Sequence, residues 1–109
     1  MNFKDRFKDY SLKIIELYKS VAQNVPERLL GYRLLQSGTM AGAKYTEACA
    51  AKTDADFSQR LGSVLEKLEV VSYWLGLLEL SECADSVKPI SAETDNLHDS
   101  ITALRKKGR

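Results

Sequence analysis

Few side chains in this sequence have the type and spacing that catalysis would need. The single histidine, His98, lies between Asp95 and Asp99, so a carboxylate could orient its ring for general-base chemistry. The sequence alone holds no serine or cysteine nucleophile against it, and a lone histidine is most often a surface residue. We therefore interpret His98 as a surface side chain and not as a base.

Three glutamates have a spacing that could suggest metal ligation, since Glu66 and Glu69 are three residues apart and Glu47 lies in an earlier segment. Di-iron helical bundles, however, also use Glu-x-x-His pairs on two helices, and this chain has no such pair. We therefore expect ion pairs at helix margins and no metal site. The candidate cationic partners are Lys44, Arg60 and Arg33.

Other catalytic patterns are missing from the sequence. It contains no GxxxxGK[ST] loop, no GxGxxG loop and no nucleophile elbow. Cys49 and Cys83 are far apart and lack the CxxC spacing of zinc sites, so we interpret them as free thiols. The residues predict no enzyme, no catalytic residue and no cofactor.

The periodicity of the apolar residues predicts the fold. Apolar residues recur at alternating intervals of four and three, which places them on one stripe of an α-helix. We predict a single all-α domain over residues 1–109, with helices near 3–23, 27–51, 55–80 and 86–106 in an up-down-up-down antiparallel four-helix bundle. The first seam contains Phe3, Phe7, Tyr10, Ile14, Leu17 and Val21. The third contains Phe57, Leu61, Val64, Leu68, Val71, Leu75 and Leu78, and the fourth contains Val87, Ile90, Thr94, Leu97, Ile101 and Leu104.

The second segment differs because small residues dominate its stripe. That stripe contains Gly31, Leu35, Gly38, Gly42, Tyr45 and Cys49. Glycine costs about 1 kcal/mol relative to alanine inside a helix, so the stripe needs compensation. Close approach of a neighbouring helix is one explanation, and a kink near Gly38 or Gly42 is the other. In either case we expect helix 2 to be the most deeply embedded helix.

Short polar or proline-containing segments mark the helix boundaries. Pro26 begins helix 2, Thr53 with Asp56 resembles a capping box for helix 3, and Asp54 is an equally good cap. Pro89 is expected in the first turn of helix 4. We expect the start of helix 1 and the end of helix 4 to lie at opposite ends of the bundle, unless a partner subunit joins them.

The formal net charge is only +1, so any basic surface has to be local. Acids predominate from Glu79 to Asp99, and we expect the basic segment from Arg105 to Arg109 to be a frayed tail. The remaining cations form either a solvated charged face or a nucleic-acid patch, which oligomerisation would multiply. The candidate phosphate-binding residues are Arg6, Lys8, Lys13, Arg28, Arg33, Lys106 and Lys107.

Helices 1 and 3 carry more apolar residues than one seam can bury. A broad core-facing stripe explains the excess, and so does a subunit interface, because aromatic side chains at a core margin are favoured anchors between protomers. The candidate interface residues are Leu12, Ile15, Tyr18, Tyr73, Trp74 and Leu77. No apolar run approaches the roughly 20 residues that span a bilayer, and the first residues lack a signal-peptide core, so we expect a cytoplasmic protein.

A series of short motifs runs from Val25 to Leu78. It contains Pro26-Glu27, then Gln36 followed by Ser37, Gly38, Ala41 and Gly42, then Tyr45-Thr46-Glu47-Ala48, Asp56-Phe57, Glu66-Lys67, Glu69 and Tyr73-Trp74-Leu75. The series resembles the small four-helix-bundle proteins encoded within intervening sequences of bacterial 23S ribosomal RNA genes. The chain departs from that family at Lys44, where the family has an Asn three residues before the Glu of helix 2, so a role of that Asn–Glu pair does not carry over whole. The family's Arg after the Gln is absent as well.

The resemblance implies a four-helix bundle that assembles as a ring, typically a homopentamer, without established enzymatic activity. A related bundle, the accessory variability determinant of diversity-generating retroelements, is a basic pentamer that associates with a reverse transcriptase and its RNA. We therefore expect a homo-oligomer that presents repeated basic residues to RNA or DNA, with a reverse transcriptase as a further candidate partner. The alternative is a protein-protein interaction scaffold that uses Tyr73 and Trp74 against a partner helix and does not bind nucleic acid.

Overall fold

The computed structural model describes residues 2–108, which form four α-helices and no strand. The helices are α1 (Phe3–Val21), α2 (Val25–Cys49), α3 (Asp54–Leu78) and α4 (Ala84–Lys107). Consecutive helices pack against each other and α1 packs against α4, whereas the diagonal pairs do not pack together. The predicted all-α, up-down-up-down antiparallel bundle is confirmed.

Three of the predicted seams line the core. α3 buries every residue of its seam from Phe57 to Leu78, and α1 buries its seam from Phe7 to Val21. α4 does the same from Val87 to Ile101, with the hydroxyl of Thr94 as a polar member. Each fully buried aliphatic side chain contributes about 1.5–3 kcal/mol, so these seams supply most of the driving force for folding. None of these helices, within the described range, combines the length and apolar character needed to cross a lipid bilayer.

α2 buries Gly31, Gly38 and Tyr45 of the row that the sequence suggested, and it adds residues of a neighbouring row to the core. The fully buried residues are Leu34, Ala41 and Ala48, whereas Leu35, Gly42 and Cys49 lie at the margin. The glycine row faces the neighbouring α1, and the row one residue earlier faces the centre of the bundle. α2 is no more deeply embedded than α3, because its remaining side is open to solvent.

The glycines of α2 allow α1 to approach closely. A Cβ added to Gly31 would lie 2.6 Å from Cγ2 of Val21 and 3.2 Å from Cδ1 of Tyr18. A Cβ added to Gly38 would overlap Cδ1 of the buried Ile14. α2 is one uninterrupted helix through these positions, so the close-approach explanation for the small-residue stripe is confirmed.

The start of α3 agrees with the sequence. Thr53 is the cap, and its side chain accepts a hydrogen bond from the backbone N–H of Asp56 at 3.1 Å. This bond satisfies one of the backbone N–H groups that the first turn of a helix leaves without a partner.

Both ends of α4 differ from the expectation. The helix begins at Ala84, so Pro89 lies inside it and not in its first turn, and the carbonyl of the exposed Asp85 receives no helical hydrogen bond. At the other end, Arg105, Lys106 and Lys107 belong to the last helical turn and are not a frayed tail. Arg109 lies outside the described residues.

The surroundings of two glycines predict opposite effects of the same substitution, glycine to alanine, on the stability of the protein. Gly31→Ala should lower the free energy of unfolding by about 1 kcal/mol, because overpacking against the stiff, buried Val21 outweighs the gain in helix propensity. Gly76→Ala should raise it by about 0.5–1 kcal/mol, since a Cβ there meets no atom within 4 Å. Urea denaturation followed by circular dichroism measures both.

A double variant supplies the control for this prediction. In a Val21→Ala background, Gly31→Ala should become neutral or stabilising, because the methyl group that it meets has been removed. Equal effects of Gly31→Ala in the two backgrounds would contradict the proposed contact.

Candidate nucleic-acid interface

The start of α1 and the end of α4 lie at the same end of the bundle. Nη1 of Arg6 donates a hydrogen bond to Oγ of Ser100 at 3.5 Å, and Nη2 of Arg6 lies 3.9 Å from Oε1 of Glu93. The expectation that these termini lie at opposite ends is wrong, because an even number of antiparallel helices returns the chain to the end where it began.

This topology gathers cations from three segments into a surface that we call the basic end. It consists of Lys4 and Lys8 on α1, Lys52 between α2 and α3, and Lys106 and Lys107 on α4. All five residues are exposed. Glu79, Glu82 and Asp85 lie at the other end of the molecule, whose long axis measures 45 Å. Asp5 and Asp54 also lie at the basic end, and Lys19, Arg28 and Lys88 lie at the other, so the five lysines give the basic end a local excess of positive charge and not a uniform sign.

The predicted phosphate-binding residues divide into three groups. Lys8, Lys106 and Lys107 are at the basic end, and none of the ion pairs within residues 2–108 involves them. Arg28 and Arg33 are on the first half of α2, toward the opposite end. The structure does not bring them together with the other candidates.

Arg6 and Lys13 form the third group, because both are engaged within the bundle. The guanidinium of Arg6 lies 5.3 Å from the ring centre of Phe3, in addition to its contacts with α4. Nζ of Lys13 lies 3.0 Å from Oδ2 of Asp9. The hydrogen bond and the charge of Asp9 raise the pKa of Lys13. Both side chains therefore make contacts within the bundle in addition to carrying a positive charge.

Lys4 and Lys52 belong to the basic end but were not among the predicted binding residues. A signal for Lys4 was present, since it is one helical turn before Lys8 and therefore on the same face of α1. Lys52 had no such signal, because its position depends on how the α2–α3 connection folds back against α1 and α4.

A buried hydrogen bond between Tyr10 and Thr94 joins the two helices that form much of the basic end. The hydroxyl oxygens are 2.6 Å apart, and both side chains are fully buried. The hydroxyl of Thr94 also donates to the carbonyl of Ile90 at 2.7 Å, so Tyr10 is the donor in the pair. Burial raises the pKa of Tyr10 well above its ordinary value, opposed only in part by the hydrogen bond to Thr94.

Three of the side chains that could perform chemistry, Glu47, Glu69 and His98, have partners within the bundle. Glu47 lies 3.3 Å from Nζ of Lys44, in agreement with the expected ion pair. Nε2 of His98 lies 3.8 Å from Oε2 of Glu69 across the α3–α4 contact. Cys49 and Cys83 are free thiols at opposite ends of the bundle. Among residues 2–108, no three His, Cys, Asp or Glu side chains are arranged to hold a metal ion.

The predicted interface residues differ in how much of each side chain is exposed to solvent. Leu12 and Tyr73 are each 62% exposed, whereas Ile15 and Leu77 are partly buried. The other two are used within the bundle. Tyr18 lies against Gly31, and Trp74 packs on the core with its ring centre 5.1 Å from that of Tyr73.

An apolar strip on α3, in which Val70 and Tyr73 are exposed and Leu77 is partly buried, includes two of these predicted residues. Val70, Tyr73 and Leu77 share one face of the helix, and we call them the outer apolar patch. The sequence interpretation missed further exposed apolar residues on α2. They are Val25, Leu29, Tyr32 and Met40. The helical spacing of these residues is visible in the sequence, but the sequence interpretation considered only the glycine stripe, which lies on the opposite face of α2.

The geometry defines a class of protein: an all-α four-helix bundle with cations gathered at one end and no assembled catalytic site in the described range. One solved structure, a protein of unknown function from the S23 ribosomal protein family of Bacteroides thetaiotaomicron VPI-5482, is similar to this chain. The TM-score is 0.86 and the sequence identity is 28%, over 94% of this chain and 97% of that chain. No protein-family model and no curated protein matches the chain.

The Tyr10–Thr94 pair predicts a pH dependence of stability. Tyr10 stays neutral in the folded protein at pH values where the unfolded chain ionises its tyrosines, so its contribution is complete below pH of about 10 and is lost as the pH rises beyond it. Tyr10→Phe should flatten this decline by up to about 1.4 kcal/mol per pH unit. Urea titrations from about pH 9 to 11 measure it.

The matched control is Tyr32→Phe, which removes an exposed phenol from α2. It should leave the alkaline decline of the wild type unchanged. Parallel curves for the wild type and Tyr10→Phe would contradict the assignment.

Proposed function

We propose that this protein is a non-enzymatic, RNA-associated member of the S23 ribosomal protein family that works as a homo-oligomeric ring, a homopentamer. In this proposal it is related to the proteins encoded in 23S ribosomal RNA intervening sequences and to the accessory variability determinant of diversity-generating retroelements. It binds nucleic acid, or a ribonucleoprotein partner such as a reverse transcriptase with its RNA, through the phosphate backbone. It meets that RNA in the cytoplasm.

The observation that carries this proposal is the basic end. Lys4, Lys8, Lys106 and Lys107 come from the two termini of the described chain and are exposed without a carboxylate partner among the ion pairs of residues 2–108. Unpaired lysines attract phosphates because binding releases condensed counterions from the nucleic acid. The acids at the far end keep the net charge near zero without weakening this local attraction strongly, since they are many Debye lengths away.

Two likenesses support the family assignment. The Bacteroides protein matches nearly the whole chain in fold. The two sequences are also 28% identical, which supports a family relationship as well as a shared fold. The motifs from Pro26 to Leu75 independently resemble a family encoded in ribosomal RNA genes.

Assembly as a ring would convert a modest patch into an effective binding surface. In a cyclic oligomer whose axis runs along the bundles, every basic end lies on one face of the ring. Several weak phosphate contacts then act together, and the effective affinity rises without any new contact. The outer apolar patch provides the proposed contact between protomers.

A second candidate function follows from the same apolar residues. Val70, Tyr73 and Leu77 present a helical strip of the type to which an amphipathic partner helix binds. In this case the protein is an interaction scaffold, and its cations form a solvated surface that does not bind nucleic acid.

Nucleic-acid binding at the basic end predicts a difference between two pairs of lysines. Lys106→Ala with Lys107→Ala should weaken binding to labelled RNA and reduce the slope of log affinity against log salt by about 1.4–1.8. Lys19→Ala with Lys88→Ala removes the same charge from exposed positions at the opposite end and should leave the slope unchanged. Fluorescence anisotropy from about 50 to 200 mM salt measures both variants.

Two results would count against this function. Equal effects of the two double variants would mean that only overall charge matters, and the absence of binding at low salt would favour the scaffold. Circular dichroism of each variant checks folding, since removing cations from the last turn of α4 costs a few tenths of a kcal/mol.

Homo-oligomerisation makes a separate prediction. Light scattering after size-exclusion chromatography should give the mass of a pentamer, and Tyr73→Glu should dissociate it by placing a charge in the proposed contact. Ala92→Glu, at an exposed position on α4 and so away from the patch, is the control. A monomer at all concentrations would contradict the ring. Retention of a partner protein by that monomer after nuclease treatment would support the scaffold.

A further inference from the structure

A cleft between α1 and α2 opens beside the basic end. Its volume is about 610 Å³, within the range of small-molecule sites, which is about 300–1,000 Å³. Both helices line it, and Lys4 and Lys8 of α1 stand at its edge. The cleft exists because α2 has small residues at Gly42 and Ala43, opposite the larger Phe7 and Leu12 of α1.

The lining combines an apolar surface with hydroxyl groups. Leu12 provides exposed apolar surface on the α1 side, whereas the rings of Phe7 and Tyr45 are almost fully buried and stack on each other with centres 5.3 Å apart. The hydroxyl of Thr39 donates to the carbonyl of Leu35 at 2.7 Å. The hydroxyl of Thr46 donates to the carbonyl of Gly42 at 3.1 Å. Because each hydroxyl hydrogen is already used, these oxygens can only accept further hydrogen bonds. A ligand with N–H donors at the edge of an apolar body matches these two acceptors.

Two lysines on the rim specify the charge of that ligand. Lys4 and Lys8 are one turn apart on α1, about 6 Å along the helix axis. On the same helix, Lys13 and Lys19 each pair with a carboxylate one turn away. No ion pair within residues 2–108 includes Lys4 or Lys8. The rim therefore carries two ammonium groups that are available to an anion.

We propose that the α1–α2 cleft binds one unpaired nucleotide of a single-stranded nucleic acid, with its base in the cleft and the flanking phosphates on Lys4 and Lys8. This inference rests on the proposed nucleic-acid function and adds the class of substrate to it. A nucleobase is a planar, largely apolar ring with N–H donors along its edge, and it is flanked by phosphates. In a duplex the bases are stacked and paired, so the cleft selects a single strand or a loop.

The test uses a variant that fills the cleft without changing the charge. Ala43 is exposed and lines the cleft, so Ala43→Phe should occupy its volume while leaving the core intact. Ala92→Phe makes the same change at an exposed position of α4 outside the cleft and is the matched control. Fluorescence anisotropy measures affinity for a labelled single-stranded RNA, for the same sequence as a duplex, and for the same strand with its bases removed.

The expected result is a loss of about tenfold in single-strand affinity for Ala43→Phe, with duplex affinity unchanged and Ala92→Phe equal to the wild type. The abasic strand should bind the wild type about tenfold more weakly than the intact strand, and should not distinguish Ala43→Phe from the wild type. Lys4→Ala with Lys8→Ala should lower the salt slope for the single strand by about 1.4. If Ala43→Phe does not fold, Thr46→Leu fills the same cleft from an exposed position.

The failures of the two proposals can be told apart. If Ala43→Phe binds single-stranded RNA as the wild type does while Lys106→Ala with Lys107→Ala weakens binding, the cleft proposal is overturned and the proposed function remains. If no variant and no wild-type protein binds any of the three probes, both proposals are overturned. Equal affinity of the wild type for intact and abasic strands also overturns the cleft proposal, since phosphates alone would then explain binding.

Discussion

The close approach of α1 and α2 is the constraint on which much of this structure depends. Side chains of α1 fill the space that Gly31 and Gly38 leave empty, so the two helices meet with almost no side chain from α2 between them. Farther along the same row, at Gly42, the distance from an added Cβ to Phe7 grows to an ordinary contact of 3.4 Å. The nearest atoms there are Cβ and the backbone carbonyl oxygen of Phe7 and not the tip of a side chain, so the two helices remain close at this position, and the α1–α2 cleft lies beside this contact.

The topology of the bundle then decides where charge collects. Four antiparallel helices bring the first turn of α1 and the last turn of α4 to one end, together with the α2–α3 connection. Arg6 and the Tyr10–Thr94 hydrogen bond fix α1 against α4 along this contact. Lysines that are distant in sequence come to lie at the same end, while the acids that precede and begin α4 collect at the other end. A surface with a local excess of positive charge thus arises in a chain whose net charge is close to zero.

The proposed function uses surfaces and requires no reactive group. The only histidine and two of the glutamates at the helix margins have partners within the bundle. The surface features without such partners are the unpaired lysines, the cleft beside them and the outer apolar patch. They suit a protein that assembles and holds nucleic acid, because phosphates, a base and a neighbouring protomer would each meet a surface of matching chemistry.

The sequence by itself determined the helices and the residues that three of them bury, because a stripe with a period near 3.6 leaves a helix only one way to hide its apolar side chains. The seam of α3 from Phe57 to Leu78 is the clearest case. It could not determine which row of α2 faces the core. Gly31, Leu34 and Leu35 could each occupy a buried position, and only the packing of the neighbouring helix decides between them. Pro89 was assigned to the first turn of helix 4 for a similar reason. A proline indicates a position near the start of a helix but does not show how many helical residues precede it.

Only the tertiary structure decided the candidate site. Lys8 and Lys107 are almost a hundred residues apart, and their placement at the same end of the bundle follows from the parity of the helices and not from any local pattern. Arg6 and Lys8 look alike in the sequence, yet α4 occupies one and leaves the other exposed. Charge type is a property of the sequence, whereas availability depends on which partners the fold brings within reach.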